Sequence, residues 1–177
     1  MANIILITGG ARSGKSRYAE DLALKYPGAR IYLATCPPAQ GDDPEMAARI
    51  EGHKRQRLDK GWQTIEQPLD LCGVVMAHGQ TPLFLIDCLT LWVSNLMMDQ
   101  DDFDEQDMVR RTETLLDCLE QFEGTVIMVS NEVGQGIVPD NQLARRYRDL
   151  VGRLNQMIAT AADQVFLVSC GLPLKLK

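Results

Sequence analysis

Paired cysteines, clustered histidines and long apolar runs are all missing from this sequence of 177 residues. Its five cysteines are odd in number and include no CxxC pair, and it has only two histidines. A disulfide framework or a structural zinc site is therefore not expected, and free thiols favour a reducing compartment. No apolar run approaches the ~18 residues that a membrane span needs, and the opening run "NIILIT" lacks the basic leader of a secretory signal. We expect a cytoplasmic protein without a membrane span.

Positive charge is also scarce, with 18 Lys and Arg against 24 Asp and Glu and a net charge of −6. This balance argues against general binding of nucleic acid, so any anion site must be local. The stretch "RIEGHKRQR" at residues 49–57 nevertheless holds four cations around one histidine. A solvated helix face, a nucleic-acid patch and a phosphate-handling site all remain open. The nucleic-acid alternative is the weakest, because no aromatic residues interleave with the basic ones.

The remaining pattern predicts one domain, residues 1–177, in which short apolar runs alternate with helical segments. We predict strands at Asn3–Thr8, Arg30–Ala34, Leu83–Asp87, Thr125–Ser130 and Gln164–Ser169. We predict helices at Ser16–Tyr26, Pro44–Leu58, Thr90–Met98, Glu105–Glu120 and Asn141–Ala162. Because each strand is almost continuously apolar, we expect an α/β fold with a mainly parallel sheet and helices on both faces.

The segment "GGARSGKS", Gly9–Ser16, fits the phosphate-loop pattern G-x-x-x-x-G-K-[ST] between the first strand and the first helix. Such a loop wraps a phosphate with backbone N–H groups, and the helix behind it adds its N-terminal dipole. Lys15 is expected to act catalytically on the β- and γ-phosphates, and Ser16 to bind Mg²⁺. The nucleotide-binding residues predicted here are Gly9, Gly10, Ala11, Arg12, Ser13, Gly14, Lys15 and Ser16. The alternative is a tight turn with an exposed lysine. The pattern favours a P-loop NTPase-like domain.

Asp87 ends the predicted strand "LFLID", where a phosphate loop commonly has a second, metal-side acid. It is expected to bind Mg²⁺, although capping the helix ahead of Thr90 is an alternative or additional role. The N-K-x-D and D-x-x-G motifs of GTP switches are absent. A small-molecule kinase is therefore favoured over a switch.

In the predicted helix Pro44–Leu58, Arg49, His53 and Arg57 recur at helical spacing and share one face. One explanation of this pattern is purely structural: a half-buried histidine beside a solvated cationic surface. A neutral imidazole among cations is also a good nucleophile toward phosphorus. These residues alone do not separate the two explanations.

The chain resembles the bifunctional adenosylcobinamide kinase / adenosylcobinamide-phosphate guanylyltransferase family of cobalamin biosynthesis over essentially its whole length. The resemblance is carried by "GGARSGKSRYAE", "MAARIEGHKRQR", "NEVGQGIVPDNQLARRYRDLVGRLNQ" and "AADQVFLV". The phosphate loop alone would be unspecific. The patterns A-R-I-x-x-H-x-x-x-R and N-E-V-G-x-G-I-V-P are far more specific.

This resemblance implies two successive reactions. The first is phosphorylation of the aminopropanol hydroxyl of adenosylcobinamide with ATP or GTP. The second is transfer of GMP from GTP, through a guanylylated histidine, to adenosylcobinamide phosphate, which gives adenosylcobinamide-GDP and pyrophosphate. Mg²⁺ and a homotrimer are implied as well.

The A-R-I-x-x-H motif assigns the guanylylated histidine to His53, since position 52 is Gly where some relatives have a second histidine. The resemblance implies nucleotide contacts at Ala34, Thr35, Cys36, Lys54, Arg55, Gln56, Arg57, Glu66 and Asp87. Some relatives carry Glu at the position of Asp87. The cations that would stabilise the departing pyrophosphate are Arg49, Lys54, Arg55 and Arg57.

Two further segments receive weaker predictions. His78 matches no motif and is expected at the surface near a helix end. The glycine-containing loop at residues 131–139 is expected near the corrinoid or a subunit interface, with turn formation alone as the alternative, and Asp140 or Asn141 is expected to cap the next helix.

Two competing functions remain. One is a P-loop kinase of another small metabolite in which His53 is structural. The other is a non-enzymatic nucleotide-binding module, which the absence of switch motifs disfavours.

Overall fold

Short apolar runs rich in Ile, Leu and Val form a seven-stranded sheet in a computed structural model that describes residues 1–36, 52, 55, 57–58 and 60–177. The strands are β1 (Asn3–Thr8), β2 (Arg30–Ala34), β3 (Trp62–Glu66), β4 (Leu83–Asp87), β5 (Thr125–Val129), β6 (Gln164–Ser169) and β7 (Leu172–Lys175). The helices within the described residues are α1 (Lys15–Ala23), α2 (Leu71–Ala77), α3 (Leu89–Asp99), α4 (Glu105–Glu120) and α5 (Gln142–Ala161).

The sheet has the order β3-β2-β4-β5-β1-β6-β7. Strands β1 to β6 pair in parallel, and only β7 pairs antiparallel, with β6. The carboxyl ends of six strands therefore meet at one edge of the sheet, which is where open α/β sheets bind ligands. The predicted mainly parallel sheet is confirmed.

Helices cover both faces of the sheet, as predicted. On one face, Ala19 and Ala23 of α1 pack against Ile5 and Ile7 of β1 and Leu85 of β4. On the other face, buried side chains of α2, α3, α4 and α5 form a larger core. Its members include Leu71, Trp92, Leu115, Leu154, Ile4, Leu6, Phe84 and Val126. This alternation of strand side chains between two apolar layers explains the almost continuous apolar character of the central strands.

The five predicted strands are all present, and only the strand predicted at Thr125–Ser130 ends earlier, at Val129. Helix α5 begins at Gln142 because the Asn141 side chain accepts hydrogen bonds from the amides of Leu143 and Ala144; Asn141, and not Asp140, is the cap. Three elements were missed: the edge strands β3 and β7 and the seven-residue helix α2. Edge strands and short helices carry weak periodicity, and β7 includes a proline that is tolerated only at an edge.

The predicted helix Pro44–Leu58 lies mostly outside the described residues. Gly52, Arg55 and Arg57 are helical, and Leu58 lies in a turn. In the part of the chain that the structure describes, no helix is long and apolar enough to cross a membrane.

Candidate functional site

A transverse row of residues connects the predicted site positions at the carboxyl edge of the sheet. Ala34 of β2 is in register with Glu66 of β3 on one side and with Asp87 of β4 on the other. Asp87 is in register with Val129 of β5, which is in register with Ile7 of β1. Neighbouring strands lie about 4.8 Å apart. The fold therefore brings Ala34, Glu66 and Asp87 to the edge at which the phosphate loop leaves β1.

The phosphate loop has the backbone geometry of an anion-binding turn. Gly9 has φ +156°, and a Cβ on it would lie 2.4 Å from the carbonyl oxygen of Val168, so no larger residue fits. Arg12 and Gly14 both have positive φ, +56° and +93°. Gly14 begins α1 without a side-chain cap, which leaves the helix start for an anionic ligand to cap. The Lys15 Nζ donates to the Gly10 carbonyl at 3.1 Å, so its ammonium group lies over the loop.

The loop is held from behind by the turn between β6 and β7. The amide of Gly171 donates to the Ser13 carbonyl at 2.8 Å, and a Cβ on Gly14 would lie 3.2 Å from the Gly171 Cα. The Ser13 hydroxyl oxygen is buried and has no partner among the described residues. The predicted phosphate-loop residues thus form one compact turn with an unsatisfied polar atom inside it.

Asp87 accepts a hydrogen bond from the Tyr32 hydroxyl at 2.9 Å through its Oδ2 atom. Burial raises the pKa of Tyr32 well above its usual range, and the nearby Asp87 carboxylate raises this pKa further. Helix α3 starts after Cys88, which is its N-cap and provides no side-chain cap. The alternative role of Asp87 as the helix cap is therefore wrong, and its carboxylate remains at the sheet edge.

Thr35 and Cys36 follow β2 at the same edge. The Thr35 hydroxyl donates to the Cys88 carbonyl and accepts from the Cys88 amide, both at 2.8 Å. The amide of Thr35 donates to Asp87 O at 3.2 Å, and its carbonyl accepts from Asn95 Nδ2 at 2.7 Å. Thr35 therefore fixes the ends of β2 and β4 relative to each other. Cys36 is half-buried, and burial, followed by the charge of Glu66, raises the pKa of its thiol.

Arg57 lies in an environment that its predicted nucleotide contact did not suggest. Its exposed fraction is only 6%. Its Nη1 atom is 3.7 Å from Oε1 of Glu20, a residue of α1 that is 4% exposed. Its Cζ atom lies 3.5 Å from the centroid of the Tyr32 ring. Arg57, the last residue of the basic segment (residues 49–57), therefore contacts α1 through Glu20 and is linked to Asp87 through Tyr32.

The electrostatics of this contact are those of a buried ion pair. Burial raises the pKa of Glu20 above its usual value, and the guanidinium of Arg57 acts in the opposite direction. Oε1 of Glu20 and the Nε and Nη1 atoms of Arg57 make no hydrogen bond to the described residues. A charge pair of this kind holds two segments together only while both members are present.

Of the other residues predicted to act in the basic segment, the structure describes only Arg55. Arg55 is exposed. His53, Lys54, Gln56 and Arg49 lie outside the described residues, so their roles remain predictions. His78 is the C-cap of α2 and half-buried, with its Nδ1 atom 3.1 Å from the Val74 carbonyl, which confirms the predicted helix end.

The loop after β5 contacts the phosphate loop, which the sequence reasoning missed. The amide of Glu132 donates to the Gly9 carbonyl at 3.1 Å, and the amide of Ser130 donates to the Ile7 carbonyl at 3.0 Å. The Asn131 side chain donates to the Thr90 hydroxyl at 2.8 Å, and Asn155 donates to the Asn131 carbonyl at 3.1 Å. The polar sequence Ser-Asn-Glu directly after a buried strand is the signal that could have indicated a site at this edge.

Comparison with known proteins agrees with this geometry. Residues 5–176 match the family described as cobinamide kinase / cobinamide phosphate guanyltransferase. The chain is 44% identical over 173 residues to the bifunctional adenosylcobalamin biosynthesis protein CobP of Pseudomonas aeruginosa, covering 97% of this chain and 96% of that protein. It is 40% identical over 185 residues to the bifunctional adenosylcobalamin biosynthesis protein CobU of Escherichia coli, covering 98% of this chain and 99% of that protein.

Two solved structures share the fold at low sequence identity. The flagellar accessory protein FlaH of Methanocaldococcus jannaschii has a TM-score of 0.51 at 15% identity, covering 93% of this chain and 70% of that chain. The KaiC-like protein PH0186 of Pyrococcus horikoshii has a TM-score of 0.50 at 17% identity, with the same coverage. At these identities the similarity extends to the overall fold alone.

Proposed function

This chain belongs to the cobinamide kinase / cobinamide phosphate guanyltransferase family, and we propose that it phosphorylates adenosylcobinamide and then attaches GMP to the phosphate. In the first reaction the aminopropanol hydroxyl of the corrinoid receives the γ-phosphate of ATP or GTP. In the second, GTP supplies GMP, and the products are adenosylcobinamide-GDP and pyrophosphate. The observation that carries the kinase half is the phosphate loop, which lies at the same sheet edge as Asp87.

Phosphoryl transfer depends mainly on positioning and charge stabilisation. The positive-φ turn at Arg12 and Gly14 suits the phosphates, and Lys15 lies over it. Ser16 and Asp87 would hold Mg²⁺ with the nucleotide, because hydroxyl and carboxylate oxygens are the donors that this ion prefers. Within the described residues no group of three His, Cys, Asp or Glu forms a metal cage. A nucleotide-bound Mg²⁺ with few protein ligands fits that donor set, and such an ion neutralises charge on the phosphates.

For the guanylyl transfer we propose a covalent intermediate at His53. An imidazole nitrogen of His53 attacks the α-phosphorus of GTP, an N–P bond forms, and the bond to the α–β bridging oxygen breaks, which releases pyrophosphate. An oxygen of the corrinoid phosphate then attacks the same phosphorus and releases the imidazole. Support comes from the family motif around His53 and from the burial of Arg57, four residues later, against α1. That contact ties the basic segment to the helix that follows the phosphate loop.

We also propose a cytoplasmic homotrimer. All five cysteines are free thiols, which fits a reducing compartment. Exposed apolar side chains at Ile137, Val138 and Leu143 offer a surface suited to subunit contact. Sedimentation equilibrium should give about three times the monomer mass of 19.7 kDa. A concentration-independent monomer would remove the trimer from the proposal and leave the chemistry within one chain.

The experiment that tests the proposed function supplies the protein with adenosylcobinamide, Mg²⁺ and either ATP or GTP, and analyses the corrinoid by mass spectrometry. We expect adenosylcobinamide phosphate with at least one of the two nucleotides and adenosylcobinamide-GDP only when GTP is present. Other small alcohols, tested in parallel, should remain unmodified. Phosphorylation of a different metabolite in preference to the corrinoid would instead support a kinase in which His53 is structural.

A further inference from the structure

Glu132 follows the strand that lies between the phosphate-loop strand β1 and the Asp87 strand β4. Strand β5, which leads into Glu132, is flanked by β1 on one side and by β4 on the other. The phosphate loop follows β1, and Asp87 ends β4. The amide of Glu132 donates to the Gly9 carbonyl at 3.1 Å, so its backbone is attached to the first residue of the phosphate loop.

Hydrogen bonds with residues of α3 and α5 fix the backbone that precedes Glu132. Asn155 of α5 accepts from the buried Ser130 hydroxyl at 2.6 Å and donates to the Asn131 carbonyl at 3.1 Å. The Asn131 amide group donates to Thr90 Oγ1 of α3 at 2.8 Å. Glu132 therefore lies just after β5 in a backbone segment that hydrogen bonds to β1, α3 and α5 hold in place.

Glu132 is half-buried as a residue, and its carboxylate makes no hydrogen bond or ion pair with any residue that the structure describes. The Asp87 carboxylate, by contrast, already accepts the Tyr32 hydroxyl. The hydrogen bonds of Ser130, Asn131 and the Glu132 amide thus fix the backbone here, while the Glu132 carboxylate oxygens take no part in them. This is the arrangement expected of a group that acts on a ligand.

We propose that Glu132 is the general base of the phosphoryl-transfer reaction, an inference that rests on the proposed kinase function. The acceptor hydroxyl oxygen attacks the γ-phosphorus, and the bond from this phosphorus to the β–γ bridging oxygen breaks, so the nucleoside diphosphate leaves with that electron pair. The hydroxyl proton passes to the Glu132 carboxylate and from there to solvent. Lys15 cannot take this proton as an ammonium ion, and Asp87 is assigned to the metal side of the nucleotide.

The test uses Glu132→Gln, which keeps the size and hydrogen-bonding capacity of the side chain but removes the base. We expect kcat of adenosylcobinamide phosphorylation to fall about 100-fold or more, while the dissociation constant of a fluorescent GTP analogue stays within about twofold. Glu132→Asp should retain an intermediate rate. The matched control is Asp140→Asn, which removes one negative charge from the same loop and should leave kcat unchanged.

Two further readouts separate this role from a structural one. Guanylyl transfer to supplied adenosylcobinamide phosphate should proceed at the wild-type rate in Glu132→Gln, and its unfolding midpoint should not change. Slow hydrolysis of the γ-phosphate by water, measured without corrinoid, should fall in parallel with phosphorylation. The wild-type protein could hydrolyse GTP, with loss of that activity in Glu132→Gln, and yet leave adenosylcobinamide unmodified. That result would contradict adenosylcobinamide as the substrate and would still support Glu132 as the general base. Three results would show that Glu132 is not the general base. They are an unchanged kcat in Glu132→Gln, weakened nucleotide binding at full kcat, and an equal loss of both transfers.

Discussion

The phosphate loop and the basic segment hold their cations in opposite surroundings. Lys15 donates to a backbone carbonyl of an exposed turn, a contact that a phosphate can replace. Arg57 lies against a buried carboxylate and an aromatic ring, and its exposed fraction is 6%. We expect the first cation to act on a bound phosphate and the second to stabilise the fold.

The largest effect that this contrast predicts is on catalysis by Lys15→Ala. Removal of the ammonium group should lower phosphorylation on the order of 100-fold or more, because the transferring phosphate loses its charge stabilisation. Nucleotide affinity should also fall, while the circular dichroism spectrum and unfolding midpoint stay near those of the wild type. Steady-state kinetics and GTP titration measure the two effects.

Lys25→Ala is the matched control for Lys15→Ala, since Lys25 is an exposed lysine just beyond the end of α1. It should change neither rate nor affinity. An undiminished rate in folded Lys15→Ala would show that the loop binds no reacting phosphate.

Arg57→Ala should act mainly on stability. Loss of one member of a buried ion pair typically costs about 3 to 5 kcal/mol in the free energy of unfolding, and here the buried Glu20 loses Arg57, which does more than Lys60 to offset its burial. Urea unfolding measures this change. The matched control is Arg17→Ala, which breaks an exposed Arg17–Asp21 contact on the same helix α1 and should cost less than about 1 kcal/mol.

The loss in Arg57→Ala should also depend on pH. Burial raises the pKa of Glu20, and Arg57 opposes that rise, so the variant should have a still higher Glu20 pKa. Protonation removes the unpaired charge, and the destabilisation should therefore shrink as the pH is lowered through that raised pKa. Equal small losses in Arg57→Ala and Arg17→Ala at all pH values would contradict a structural role for Arg57.

Tyr32→Phe should produce the smallest effect, since it keeps the ring beneath Arg57 and removes only the hydroxyl that donates to Asp87. We expect a stability loss of about 1 kcal/mol and a severalfold increase in the Mg²⁺ concentration needed for half-maximal phosphorylation. Tyr32→Leu, which also removes the ring, should lose more stability. Identical Mg²⁺ dependence in Tyr32→Phe and the wild type would argue against Asp87 as a ligand of the metal.

The parts of this molecule that the sequence predicts well are those with strong local signals. The central strands are long apolar runs, and the phosphate loop has glycines where positive φ and close approach to Val168 demand them. Asn141 also carries its capping role in its residue type and position. Each of these features depends on a few neighbouring residues, so a linear pattern is enough to find it.

The parts that the sequence predicts poorly depend on contacts between distant segments. The burial of Arg57 requires Glu20 and Tyr32, which lie 37 and 25 residues earlier in the chain. Helical spacing predicts a cationic face but not the element that covers Arg57. Similarly, the attachment of Glu132 to Gly9 follows from the insertion of β5 between β1 and β4, which no short motif records.

If one chain performs two transfers through separable groups, the two reactions should respond differently to His53→Ala, and a pair of assays on this variant measures both. With [γ-³²P]GTP and adenosylcobinamide, the variant should still phosphorylate the corrinoid, because that step needs no covalent intermediate. With [α-³²P]GTP, only the wild type should retain label on the protein after denaturing electrophoresis, and that label should be lost in acid and survive mild alkali. Label retained on His53→Ala, or a folded variant that has lost both activities, would show that His53 is not a nucleophile that serves guanylyl transfer alone.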